Sequence, residues 1–167
     1  MVFQNRNEYV ASGGGGWAGN FKNQTGTLWI HDVHFVGAHP TGGIQLEEPG
    51  AGVGLRDVLF DQVIGSYSTN HAECIQTWSG PDRFLIDALT CNTTYQGLFL
   101  QPNQYGGATP TALDFRNVDI YGQGAYDLWL ADVGPGQVGQ LPDFTVQNTY
   151  DCDPTSPRTI AQRAAAG

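Results

Sequence analysis

Apolar residues recur along this chain in short alternating runs, and the runs share a period. Residues 28–37, 58–65, 84–91 and 113–122 carry the pattern most clearly, and residues 144–150 form a weaker fifth copy. Setting Ile30, Phe60, Ile86, Phe115 and Val146 in one column gives steps of 30, 26, 29 and 31 residues. Spacing of this kind predicts a solenoid whose units bury their apolar faces against one another. A solenoid has no central cleft, so function is expected on a lateral face or at an end.

A second pattern runs in phase with the first. Residues 43–46, 74–77, 97–100 and 127–130 follow successive copies by 12 to 15 residues. In the first of these, Ile44 and Leu46 point one way and Gln45 the other, as strand alternation requires. In the longer runs the alternation breaks once. Leu28 and Ile30 alternate, Asp32 intervenes, and Val33 and Phe35 alternate again. One extra residue between two alternating runs predicts a tight corner, placed in successive units at Asp32, Gln62, Ala88, Asn117 and Asn148. Asn and Asp accept left-handed backbone geometry cheaply and bond their own turns, so the corners are expected to stack as a ladder. Each turn then holds two strands flanking the corner and one face strand. The prediction is an all-β, right-handed parallel β-helix of about five turns of three strands, its hand following the crossover rule.

Composition fits one domain over residues 1–167. Gly is frequent at 23 residues, only 14% of residues are charged, and amphipathic helical stretches are nearly absent. Residues 1–27 read as an irregular N-terminal turn or cap, 28–150 as regular turns, and 151–167 as a last turn and tail. Residues 158–166 are the single helix candidate, expected to fray. Residues 2–5 read as the remnant of an earlier turn. Without a clear N-terminal cap, the natural chain is expected to extend further. No run of about 20 apolar residues is present, so no membrane span is expected, and no signal peptide is recognised.

Charge narrows the partners. The net charge of −9 argues against nucleic acid, which needs a basic patch. It also disfavours a strongly anionic polymer unless Arg or a divalent cation bridges locally. The three cysteines show no Cys-x-x-Cys spacing, and Cys91 and Cys152 fall two turns apart, too far for a bridge. Free thiols are expected.

The stacked corners, the three-strand turn, and the runs His71-Ala-Glu-Cys-Ile-Gln-Thr-Trp78, Phe84-Leu-Ile-Asp87 and Tyr95-Gln-Gly-Leu-Phe-Leu-Gln-Pro102 resemble the pectate-lyase-like β-helix superfamily. They are similar in particular to its secreted bacterial repeat proteins of unsettled function. The resemblance covers roughly residues 28–150. It implies a secreted, extracellular protein with a polysaccharide partner held along the face strand. That superfamily spans polysaccharide lyases, glycoside hydrolases, esterases, phage tailspikes and non-catalytic modules, and fold does not choose among them. This chain lacks the clustered Asp motifs of the hydrolases and has about half the turns of the well-known enzymes.

The face strands supply the binding candidates. Their outward row is Gln45, Gln76, Phe99 and Trp129, with Glu47, Trp78, Gln101 and Ala131 beside it. Rings interleaved with amides suit a sugar chain, unless loops at residues 101–110 and 134–141 cover the row. His71 and Glu73 are the catalytic candidates, as a base oriented by a carboxylate. In a β-elimination on a uronate, His71 would be the base, Arg83 would neutralise the carboxylate, and Tyr95 or Tyr67 would be the acid. A plainer reading has His71 closing a turn and Glu73 bonding its backbone. Glu47, Glu48 and Asp82 are candidate oxygen ligands for Ca²⁺. His31, His34 and His39 lack metal-ligand spacing. Residues 23–25 and 92–94 match the glycosylation acceptor pattern. Two readings stay open: a polysaccharide lyase, or a non-catalytic module that binds glycan or self-assembles through open ends.

Overall fold

A computed structural model describes residues 2–4, 9–10, 17–39, 42–101, 110–122, 126–130, 143–152 and 158–159. Thirteen strands and no helix occur among them. The long strands β4 (Thr27–His39), β6 (Gly52–Val63), β8 (Arg83–Thr93), β10 (Ala112–Tyr121) and β12 (Asp143–Asp151) stack in that order in one parallel sheet. The short strands β3 (Gly19–Lys22), β5 (Ile44–Glu47), β7 (Glu73–Ser79), β9 (Gln96–Leu100) and β11 (Tyr126–Leu130) stack in the same sequence in a second parallel sheet. Long and short strands alternate along the chain. The result is the expected parallel β-helix, with about four complete turns rather than five.

The termini join this stack. β1 (Val2–Gln4) pairs parallel with β4, as the reading of an earlier turn anticipates, and β2 (Tyr9–Val10) pairs parallel with the far end of β4. β3 lies in register with β5, so the face sheet begins inside the stretch read as irregular. β3 was hard to see because it offers only Phe21 as a large apolar residue. Within the expected C-terminal tail, β13 (Arg158–Thr159) pairs antiparallel with β12 instead of starting a helix.

Each long strand bends at one left-handed residue. These are Asp32 (φ 55°), Asp57 (φ 51°), Ala88 (φ 60°), Asn117 (φ 52°) and Asn148 (φ 46°). Four of the five corners match the sequence expectation, and Asp57 replaces Gln62. The register explains the slip. Ile30 pairs with Leu55, Leu55 with Ile86, Ile86 with Phe115 and Phe115 with Val146, so the steps are 25, 31, 29 and 31 residues. Phe60 belongs to the leg after the corner, beside Phe35 and Cys91. The leg before it, Val53-Gly-Leu55, is easily overlooked because Gly54 stands where an outward side chain is expected. A Cβ on Gly54 would collide with the Trp29 ring, so the indole of the neighbouring turn occupies that space.

The ladder is real over three turns. Asn148 Nδ2 donates to Asn117 Oδ1 at 3.1 Å, and Asn117 Nδ2 donates to Asp87 Oδ1 at 3.0 Å. Ala88 has no polar side chain to stack, so the preceding residue substitutes for it.

The corner restores alternation with the same face inward, which is why both legs feed one core. Leu28, Ile30, Val33 and Phe35, with their counterparts in the next three turns, are buried. Phe35 stacks on Phe60 with centroids 4.7 Å apart, and Phe84 meets Phe115 edge-on at 6.0 Å. Burying each such ring stabilises by roughly 1.5–3 kcal/mol.

The free-thiol expectation fails for two cysteines. Cys74 and Cys91 form a disulfide, with Cα atoms 6.1 Å apart and both residues fully buried. The sequence comparison set Cys91 against Cys152, along the stack. The bridge instead runs across one turn, because the second leg of β8 ends beside the start of β7. Cys152 is outside any disulfide.

Candidate functional site

The face sheet holds its outward row in register. Asn20 pairs with Gln45, Gln45 with Gln76, Gln76 with Phe99 and Phe99 with Trp129. Exposure along the row is uneven. Gln45 and Gln76, expected to face solvent, are only 5% and 7% exposed, whereas Trp129 is 38% exposed. Neighbours in such a stack stand about 4.8 Å apart, so side chains in the middle of the row are screened on both sides. Gln45 also lies along its strand, its Nε2 donating to Glu47 Oε1 at 2.7 Å. Glu47 is itself paired with Lys22 Nζ at 2.5 Å. Phe99 and Trp129 stack with centroids 5.9 Å apart and planes 17° from parallel. They form the aromatic platform of the row.

The second row is broken. Leu46 pairs with Thr77 but Glu47 pairs with Ser79, so Trp78 is an extra, bulged residue. Bulges re-aim side chains beside sites. Gln101 directly follows β9 and is partly buried. Ala131 and residues 102–109 and 134–141, the flanking loops, lie outside the described residues.

The sequence candidates for catalysis divide into two groups. His71, Tyr67 and Tyr95 come together just before the face strand. The His71 ring lies 5.6 Å from the Tyr67 ring and 5.4 Å from the Tyr95 ring, and its Nε2 is 3.0 Å from the Tyr67 carbonyl. That carbonyl contact orients the ring as a donor and closes the loop. His71 and Tyr67 are exposed, whereas Tyr95 is buried. Arg83 does not join them. It opens β8 on the other sheet, beyond the whole of β7, roughly 20 Å of strand away.

Glu73 begins β7 and is buried. Its carbonyl accepts from the Gly43 amide at 2.7 Å, and its Oε2 finds no hydrogen-bond partner among the described residues. Burial pushes its carboxyl up to about 8, only partly opposed by a backbone hydrogen bond, so it is protonated at neutral pH. Gln96, its partner in the next turn, also buries an oxygen without a partner among the described residues.

The candidate Ca²⁺ ligands have different partners. Glu47 is held by Lys22 and Gln45. Glu48 is fully buried, with its Oε2 accepting from the Gln24 amide at 2.6 Å. Burial raises its carboxyl, the Gln24 amide opposes this, and Glu47 adds to the rise. Asp82 has its backbone in the stack, donating to Ala51 and accepting from Thr111. Among the described residues no group of three or more His, Cys, Asp or Glu is arranged to hold a metal ion. His31 Nδ1 is 2.9 Å from Asp32 Oδ2, and His34 Nε2 is 2.5 Å from Asp61 Oδ1. The side chain of His39 lies outside the described residues.

Sequence reasoning missed the buried Cys74–Cys91 bridge and, on the lateral surface, the seating of Trp29 over Gly54. The second had a signal: a glycine in the outward row directly above a tryptophan. No protein-family model matches the chain, and no curated protein or solved structure matches it. No described helix is long and apolar enough to cross a membrane.

Proposed function

We propose that this chain is a glycan-binding β-helix module whose contact surface is the Phe99–Trp129 end of the face sheet. The observation that carries this reading is the stacked ring pair, in register on adjacent turns, with Trp129 exposed. The exposed Trp129 ring, backed by the stacked Phe99 ring on a rigid sheet, presents an apolar surface suited to the C–H face of a sugar, and the ordered scaffold keeps the entropic cost of binding low. Tyr67 and His71 supply polar groups at the upstream end of the same face. The charge of −9 favours a neutral or weakly acidic glycan. A buried disulfide suits an oxidising compartment, which supports an extracellular setting.

The test is a glycan array followed by calorimetry on the best binders. Trp129→Ala should weaken binding at least tenfold while leaving the circular-dichroism spectrum unchanged. Absence of binding to every polysaccharide tested would sink the reading and turn attention to self-association through the ends.

The lyase reading retains one favourable feature: a buried carboxyl, Glu73, pushed above its ordinary range and two residues from an exposed imidazole, His71. Of its two acid candidates Tyr95 is buried and Tyr67 is exposed, and Arg83 is remote. Ultraviolet absorbance from unsaturated products, tested over uronate polysaccharides with and without Ca²⁺, decides it. Product formation that disappears in His71→Ala would replace the binding reading with a lyase.

A further inference from the structure

A second surface, on the sheet away from the Phe99–Trp129 platform, carries a site of its own. On the outward side of the legs before the corner, Trp29 pairs with Gly54, Gly54 with Leu85 and Leu85 with Asp114. Because Gly54 lacks a Cβ, the Trp29 ring settles against it. The half-buried indole and Leu85 line a groove of about 280 Å³, rimmed by Thr27, Arg83 and Asp114. Ordinary ligand pockets run roughly 300–1,000 Å³, so this volume suits one sugar-sized ring and not an extended chain.

The electrostatics single out Arg83. Four cationic side chains are described. Lys22 pairs with Glu47, Arg56 with Asp87, and Arg116 with Asp114. Only Arg83 has no carboxylate or hydrogen-bond partner among the described residues. Asp114, on the same groove, does not neutralise it: both its oxygens are engaged by Arg116, Oδ1 at 3.0 Å from Nε and Oδ2 at 2.5 Å from Nη2. Among the described residues, Arg83 therefore presents an unpaired guanidinium at the edge of an aromatic trough. A guanidinium matches carboxylate and phosphate oxygens bidentately.

We propose that this groove binds a single pyranose ring carrying one anionic group, the apolar face of the ring on Trp29 and Leu85 and the anion on Arg83. The proposal goes beyond the platform reading and does not depend on it.

The experiment is an amide and indole NMR titration of the full chain at low salt, with glucuronate, glucose 6-phosphate, glucose and glutarate as probes. The Trp29 indole signal is identified by its loss in Trp29→Phe. One of the two acidic sugars should shift it with at least tenfold higher affinity than glucose or the ringless glutarate, and the stronger of the two names the anion. Arg83→Gln, at an exposed position, should weaken that binding at least tenfold with the spectrum otherwise native. Trp129→Ala should leave it unchanged. Equal affinity for glucose, no shift with either acidic sugar, or undiminished binding in Arg83→Gln overturns the groove site. A shift abolished by Trp129→Ala and kept in Arg83→Gln also overturns it, while leaving the platform reading standing.

Discussion

The two sheets of this β-helix bury different chemistry. In the bent sheet, the inward positions of the two legs from β4 to β10 are apolar, from Leu28, Val53, Phe84 and Leu113 to Phe35, Phe60, Cys91 and Ile120, with buried Thr93 beyond Cys91 the polar exception. In the face sheet, Gln45, Glu73, Gln76, Thr77, Gln96 and Asp127 are all buried beside Ile44, Ile75 and Leu98. Glu73, Thr77 and Gln96 each bury an oxygen without a hydrogen-bond partner among the described residues, at a cost of roughly 1–3 kcal/mol apiece. One sheet is organised for stability. The other carries polar groups that stability alone would replace, and it holds the aromatic platform. Apolar packing thus dominates one wall of the coil and buried polar groups concentrate on the other.

That contrast can be broken from the stable side first. Phe115→Ala removes a fully buried ring from the bent sheet and should cost about 3–5 kcal/mol, measured by denaturant unfolding. A loss below 1 kcal/mol would mean the column is not packed as described. Next, the Cys74–Cys91 bridge ties the two sheets together within one turn, closing a loop over a sequence separation of 17. Replacing both cysteines with Ala should cost about 3 kcal/mol. Unchanged stability under reducing conditions in the original chain would count against the bridge.

The face sheet predicts a pH signature of its own. Glu73 holds its proton up to about 8 in the folded state, against an ordinary value of 4.5. Between those values the folded chain binds one more proton than the unfolded chain. Stability from this group is therefore fully present below the ordinary carboxylate value and lost as pH rises through 8, with a slope of at most about 1.4 kcal/mol per pH unit. Glu48, also raised by burial, acts in the same direction. Glu73→Gln should flatten the fall in melting temperature between pH 5 and 8; an identical pH profile would show that Glu73 ionises freely.

Asn117→Leu tests the corner ladder, which belongs to the bent sheet but lies on its surface. It should cost about 1–3 kcal/mol through left-handed strain and two lost hydrogen bonds, and no loss would mean the ladder is incidental. The smallest stability effect is expected on the platform, where Trp129→Ala should stay within about 0.5 kcal/mol. A larger loss would make Trp129 a structural residue and weaken its assignment to binding.

How much of this was legible depended on periodicity. The bent sheet was readable wherever both legs kept their outward side chains, as at Phe84-Leu-Ile-Asp87, and unreadable at Val53-Gly-Leu55. There a glycine removed the polar half of the alternation, and the second corner was misplaced from Asp57 to Gln62. The face row was readable as a row, since Gln45, Gln76, Phe99 and Trp129 keep their register. The catalytic grouping was legible only in part. His71, Tyr67 and Tyr95 lie within one loop and the next turn, so the period brings them together, while Arg83 is adjacent in sequence to the wrong end of β7.

The sequence alone determined the parallel β-helix, its period and most of its corners. Those follow from alternation and left-handed backbone preference, which are local and repeat in every turn. Only the tertiary structure decided the burial of Gln45 and Gln76, the raised carboxyl of Glu73, the Cys74–Cys91 bridge and the seating of Trp29 over Gly54. Each depends on which side chains meet across turns or across the interior. A short run of residues does not carry that information, because one shifted register replaces every such neighbour.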